Sequence, residues 1–268
     1  MQIQMVTFSA AKDGNAPGEW QDGACGGVAA DGSWARFVVL DGATTAYDPV
    51  RWVDQLVRSF APQANGSPGP RLEPAAMRAW FAEMQDQWAT EVRDFDSIIE
   101  ERKFAEVGSF ATLLGFDIYG LDGPEPYWRA VALGDTVLFH VRAGRLIAAF
   151  PPMGPDDFGT LPDGVHTSPA SLDRMTERLL TGAGVLEAGD FLFAATDAMA
   201  QWILRAIERD QAKVWAALAT LAHPDVFARL VGDQRREQDS ATRMKNDDVT
   251  LLRLRMLAGQ PSFLLACR

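Results

Sequence analysis

Five aspartates sit in or beside short apolar stretches spread along the whole chain. Asp22 follows Trp20-Gln21, Asp41 closes Phe37-Val38-Val39-Leu40, and Asp135 follows Val131-Ala132-Leu133-Gly134. Asp197 closes Phe191-Leu192-Phe193-Ala194-Ala195-Thr196, and Asp247 stands before Asp248-Val249-Thr250. A carboxylate at the end of a buried strand is costly unless a positive partner meets it. No matching set of arginines lies near these positions in the sequence. Hard divalent cations, which prefer oxygen ligands, are the natural alternative.

Something must bring these positions together, and 268 residues with 47% hydrophobic content suffice for a large core. One domain is expected, spanning 1–268, because no linker divides the chain. The net charge of −11 argues against nucleic acid or an anionic membrane surface as partner, since either calls for a basic face. Two cysteines, Cys25 and Cys267, are too sparse for a disulfide-stapled secreted domain. The first residues lack a basic region followed by a long apolar run, and nowhere do about 18 apolar residues follow one another. A cytoplasmic, soluble protein is the expectation.

Hydrophobic periodicity predicts strand-rich blocks alternating with helical ones. Ile3 to Phe8, Ala24 to Ala30 and Trp34 to Leu40 read as strands of an antiparallel meander, with a turn at Asp31-Gly32. Pro49 to Ala61 reads as a helix with Asp48 as N-cap, and Gln63 to Arg71 as a loop. Glu73 to Arg102 reads as one long helix, its Met77, Trp80, Phe81, Met84 and Trp88 being core contacts. Phe104 to Phe150 is a second strand block with turns at Leu121 to Pro124 and at Ala143-Gly144. Pro151 to Pro169 is a long loop of the kind that is more often functional or mobile than inert. Then follow a strand at Phe191 to Ala195, helices at Met199 to Glu208 and Gln211 to Ala222, and a last strand at Val249 to Met256. Periodicity alone leaves a generic α+β domain open beside two packed sheets flanked by helices.

Taken in order, Gln21-Asp22, Asp41-Gly42, Gly108-Ser109, Gly134-Asp135-Thr136, Thr196-Asp197-Ala198 and Asp247-Asp248 resemble the motif series of the metal-dependent Ser/Thr protein phosphatases of type 2C, in their compact bacterial form. The resemblance runs from about Thr7 to Met256. Each motif is weak alone; six in family order are fairly specific. It implies an α+β fold, a four-layer α/β/β/α sandwich of two antiparallel sheets flanked by helices, with the site in a cleft at one end of the sheets. It further implies two Mn²⁺ or Mg²⁺ ions, with Asp41 bridging them, the Gly42 carbonyl on one, and Asp197 and Asp247 completing the other. Asp135 would belong to a third, weaker position, and Asp22 would either stand behind the ligands or bind through water. Asp41, Asp197 and Asp247 would then carry catalysis, through a hydroxide held between the metals.

The implied reaction is hydrolysis of phosphoserine or phosphothreonine in a protein substrate, within a bacterial signalling circuit and opposite a Ser/Thr kinase. The chemistry is consistent: a phosphate ester repels an anionic nucleophile, and two cations relieve that repulsion. Several positions depart from the family. Ala43 stands where a histidine often follows the Asp-Gly pair, Gln21 where a glutamate is common, and Ala198 where glycine is usual. Pro17, Gly18 and Glu19 occupy the stretch where an arginine often grips phosphate, leaving Lys12 as the nearest cation. Three of the motifs also have a plainer reading: Asp41-Gly42 as a turn, Asp197 as a helix N-cap, Asp247 and Asp248 as turn residues. A second function therefore stands beside the first, a catalytically weak or inactive relative serving as a phosphoprotein-binding or regulatory module. The three histidines, His140, His166 and His223, do not form a metal site by spacing.

Overall fold

The computed structural model describes all residues except 17–18, 30–31, 63–68, 92, 160–161, 261 and 268, and only the backbone of 264–267. Asp31 of the Asp31-Gly32 turn, most of the 63–71 loop and the Cys267 side chain thus lie outside the described residues.

Among the described residues, twelve strands build two sheets. β1 (Gln2–Ala10), β6 (Val137–Arg142), β7 (Arg145–Phe150), β10 (Phe191–Ala195), β11 (Val249–Leu257) and β12 (Ser262–Cys267) form one, in the order β12-β1-β11-β10-β6-β7. β2 (Gly23–Val28), β3 (Trp34–Gly42), β4 (Phe110–Tyr119), β5 (Tyr127–Leu133) and β9 (Leu180–Val185) form the other in the order β2-β3-β4-β5-β9, with the two-residue β8 (Val165–His166) beside β4. All pairs are antiparallel except β1 with β12.

Strand alternation accounts for the layers. On β3, Phe37 and Val39 join a core that also holds Ile3, Phe116, Leu192 and Leu254, so it lies between the sheets. Val38 and Leu40, on the other face of β3, pack with Trp52 and Leu56 of α1 (Pro49–Phe60) and Phe81 and Met84 of α2 (Pro74–Thr90). A strand covered on both faces reads as a continuous apolar run, as Phe37 to Leu40 does. The outer face of the first sheet is covered by α5 (Asp197–Thr220) and α6 (Pro224–Arg235) through Ile203, Trp215 and Phe227. The result is the four-layer α/β/β/α sandwich.

Several boundaries differ from the sequence reading. β1 does not form a meander with β2 and β3; it pairs with β11 across the chain, Gln2 opposite Leu257 and Ala10 opposite Val249. The long helix expected over Glu73 to Arg102 is two, because α3 (Ile98–Glu106) starts afresh: Ser97 caps the Glu100 amide at 3.2 Å and the Glu100 carboxylate returns to the Asp96 amide at 3.0 Å. β11 is not last, since β12 follows it. A short helix, α4 (Leu172–Arg178), and β9 were also not foreseen. Other readings held. Asp48 caps α1 ahead of Pro49. The break foreseen between Glu208 and Gln211 falls at Asp210, whose carboxylate caps the Lys213 amide at 3.0 Å. Among the described residues, no helix is long and apolar enough to cross a membrane.

The sheet end opposite the aspartates is tied by a buried network. Asp190 accepts from the Arg142 guanidinium, the His140 ring and the Glu187 amide, all at 2.8 Å. Burial pushes the Asp190 carboxyl up, but these hydrogen bonds outweigh it and hold it below its ordinary value. A depressed carboxylate adds stability above its unfolded pKa, about 3.9, which is lost as pH falls through the folded value. Asp190→Asn should therefore cost roughly 2 kcal/mol at pH 7. In urea melts, the gap to the native chain should close between pH 4 and pH 2. A gap independent of pH would show that the charge of Asp190 is not what stabilises.

Candidate active site

Strand polarity gathers the motif residues at one end of the sandwich. On β3 the inward sequence Ala35, Phe37, Val39 continues to Asp41, which leaves the core where β3 ends. Asp135 lies on the β5–β6 turn, Asp197 opens α5 directly after β10, and Asp247 precedes β11. Glycine is required twice in this construction. A side chain at Gly42 would strike the Gln21 carbonyl, 2.5 Å from the Cβ position, so Gly42 lets the Gln21-Asp22 segment lie against the end of β3. Gly134 has φ of +111° and would meet the Asp163 carbonyl at 2.5 Å, so its lack of a side chain lets Asp163 lie against the Asp135 turn.

These residues wall a cleft of about 230 Å³, bordered by Asp41, Asp135, Asp197, Asp247, Lys12 and Lys245. Gly42, Ala43 and Thr112 also line it, and the 151–169 loop adds Gly159 and Pro162. Asp22 stands behind the cleft: it is buried, and its Oδ2 accepts from the hydroxyls of Thr250 at 2.8 Å and Thr196 at 3.0 Å. Asp248 braces the back wall, accepting from the Lys12 amide at 2.8 Å and the Gln21 amide at 2.7 Å. Gly108 and Ser109 do not line the cleft; Ser109 donates its amide to Thr167 at 2.9 Å.

The electrostatics are those of crowded acids. Burial raises Asp41 well above the ordinary carboxylate range, and Asp22, Asp197, Asp135 and Asp247 push it further. Burial and Asp197 push Asp135 up to about 7. Asp22 is raised by burial against the opposing effect of its two threonine hydrogen bonds. Both carboxylate oxygens of Asp135 and Oδ1 of Asp22 are buried with no hydrogen-bond partner.

Two ammonium groups partly offset this. Lys245 Nζ lies 2.8 Å from Asp197 Oδ2, and Lys12 Nζ lies 3.6 Å from Asp247 Oδ1. Burial lowers the Lys245 pKa, but its bond to Asp197 and the fields of Asp197, Asp247 and Asp135 raise it above its ordinary value on balance. Lys12 was foreseen as the nearest cation. Lys245 was missed, although its place two residues before the Asp247-Asp248 pair was a signal.

Among the described residues, no three His, Cys, Asp or Glu side chains converge as a ready chelating set. The donor chemistry still fits a hard divalent cation: partnerless buried carboxylate oxygens and aspartates raised by mutual repulsion are what such an ion satisfies.

No protein-family model matches the sequence, and no curated protein matches it. Solved structures do match the fold. The photosystem II phosphatase PBCP is 15% identical with a TM-score of 0.56, over 96% of this chain and 100% of that one. PppA, a regulatory component of the type VI secretion system in Pseudomonas aeruginosa, is 16% identical with a TM-score of 0.55, over 95% and 98%. A bacterial serine phosphatase is 10% identical with a TM-score of 0.59, over 96% and 98%. The fold is that of the type 2C Ser/Thr phosphatases, over nearly the whole chain.

Proposed function

We propose that the chain is a single metal-dependent phosphatase domain that hydrolyses phosphoserine or phosphothreonine in proteins. The observation that carries this reading is the cleft at the sheet end, where Asp41 is raised by four other aspartates and Asp135 keeps two buried oxygens without partners. Asp41, the Gly42 carbonyl, Asp197 and Asp247 would hold two Mn²⁺ or Mg²⁺ ions. Asp135 would serve a third position, with Asp22 acting from behind. When bound, such ions activate water and neutralise charge on the phosphoryl group. Lys12 and Lys245 give the cleft its positive side chains, available to a phosphoryl dianion as it enters. Ala43 carries no group able to protonate the leaving oxygen, so esters with good leaving groups should react best. A cytoplasmic signalling role opposite a Ser/Thr kinase follows from this reading.

A second reading is favoured by specific features. Lys245 already neutralises Asp197, and Ala43 removes a proton donor, as in a phosphoprotein-binding relative with little activity. One experiment separates the two. Under the first reading, Mn²⁺ should switch on hydrolysis of p-nitrophenyl phosphate and EDTA should switch it off. The melting temperature should also climb with Mn²⁺, since an ion at about 100 times its Kd stabilises by roughly 2.7 kcal/mol. A rising melting temperature without turnover selects the binding module. A flat melting temperature across millimolar Mn²⁺ removes the metal site.

A further inference from the structure

Beside the cleft, and sharing Lys245 with it, lies a second cavity of about 560 Å³. Its wall carries Arg205, Arg235, Arg243 and Lys245 against a single carboxylate, Asp13. On a chain of net charge −11, four cations around one cavity are a marked local reversal of sign. Arg235 is committed to the fold: it donates to the Ala11 carbonyl at 2.8 Å, to Asp13 at 3.0 Å and to the Asp247 carbonyl. That ion pair also satisfies Asp13. Arg205 and Arg243 are different, because among the described residues neither guanidinium has an ion-pair or hydrogen-bond partner. Arg205 is half-buried on α5, and Arg243 is exposed in the segment between α6 and β11. The nearby Asp239 does not neutralise Arg243: its carboxylate accepts from the Ala241 amide.

We propose that this cavity receives acidic side chains flanking the phosphorylated residue of a phosphoprotein substrate, so that acidic phosphopeptides are selected over neutral ones. The proposal rests on the phosphatase reading of the adjoining cleft. An extended peptide advances about 3.3 Å per residue. With its phosphate in the carboxylate cleft, side chains a few positions away therefore pass Lys245 and enter the second cavity. Guanidinium groups recognise carboxylates through paired hydrogen bonds, and two of them are free here to do so. A long polyanion such as nucleic acid would be repelled by a chain of net charge −11, whereas a short acidic stretch fits a local patch.

The test uses two fluorescein-labelled phosphoserine peptides of equal length, one with Asp and Glu around the phosphoserine and one with Asn and Gln. Fluorescence anisotropy in millimolar Mn²⁺, with the phosphoserine of both peptides replaced by its non-hydrolysable methylenephosphonate analogue, measures binding without turnover. The acidic peptide should bind about tenfold more tightly, and the Arg205→Gln/Arg243→Gln double variant should bring the ratio to within roughly twofold. Arg243→Gln alone, at an exposed position where packing is not at stake, should lower the preference about threefold. Equal affinities for the two peptides, or a preference that survives the double substitution, would overturn the proposal. Failure of the phosphatase reading looks different, because p-nitrophenyl phosphate has no flanking residues and its hydrolysis is blind to this cavity.

Discussion

Asp41→Asn should lower Mn²⁺-dependent hydrolysis of p-nitrophenyl phosphate by about 10³-fold or more, and at the same time make the metal-free protein more stable. Both effects come from one charge. Asp41 sits where β3 leaves the core, raised by burial and by Asp22, Asp197, Asp135 and Asp247. Without a cation, ionised Asp41 repels its neighbours. Asparagine keeps the shape and removes the repulsion, for a gain of roughly 1 kcal/mol in the presence of EDTA. With Mn²⁺ the sign should reverse, because under the phosphatase reading Asp41 would be a metal ligand, and the metal-induced rise in melting temperature should shrink sharply. Asp197→Asn should repeat the loss of metal binding, but without the gain in EDTA, because Asp197 is already matched by Lys245. Calorimetric titration and melting curves in both buffers provide the measurements. Unchanged Mn²⁺ binding in both variants would place the metal elsewhere.

The aspartates that line the cleft were more legible in the sequence than parts of the fold. Asp41, Asp135 and Asp197 were legible as carboxylates closing short apolar runs and Asp247 as part of an Asp pair before one, and their order along the chain carried the resemblance. Long-range pairing has no such local mark. Nothing within Gln2–Ala10 says that its partner is Val249–Leu257 rather than the neighbouring β2. β9 was hidden for another reason. Its Gly182 and Gly184 look like turn residues, yet Cβ atoms there would come within 2.6 Å of the Phe150 and Trp128 rings, so these glycines are small to admit aromatics inside a strand. The break before α3 lay in the Ser97 and Glu100 pair, a capping signal overridden by the apolar periodicity on its N-terminal side. Lys245 meets Asp197 across 48 positions of sequence, a contact that only the folding of β11 beside β10 creates.

That contact leads to a graded expectation for Lys245. Its ammonium stands 2.8 Å from Asp197 Oδ2, on the carboxylate that the phosphatase reading gives to a metal ion. An ion binding there must displace it or tolerate it, so Lys245 should weaken metal affinity while stabilising the metal-free protein. The pair is partly open to solvent, with the lysine side chain 44% exposed, so each unit of charge counts for about 1 to 1.5 kcal/mol rather than the larger value of a dry interior. Lys245→Gln removes one unit and should tighten Mn²⁺ binding about tenfold. Lys245→Glu reverses the sign and should approach 100-fold, with a parallel fall in melting temperature in EDTA. The two readouts moving in opposite directions, in proportion to charge, identify competition between an internal cation and a bound one. If Lys245→Gln left Mn²⁺ affinity where it was and only lowered the melting temperature, the ammonium would be a brace for Asp197 and not a rival of the metal.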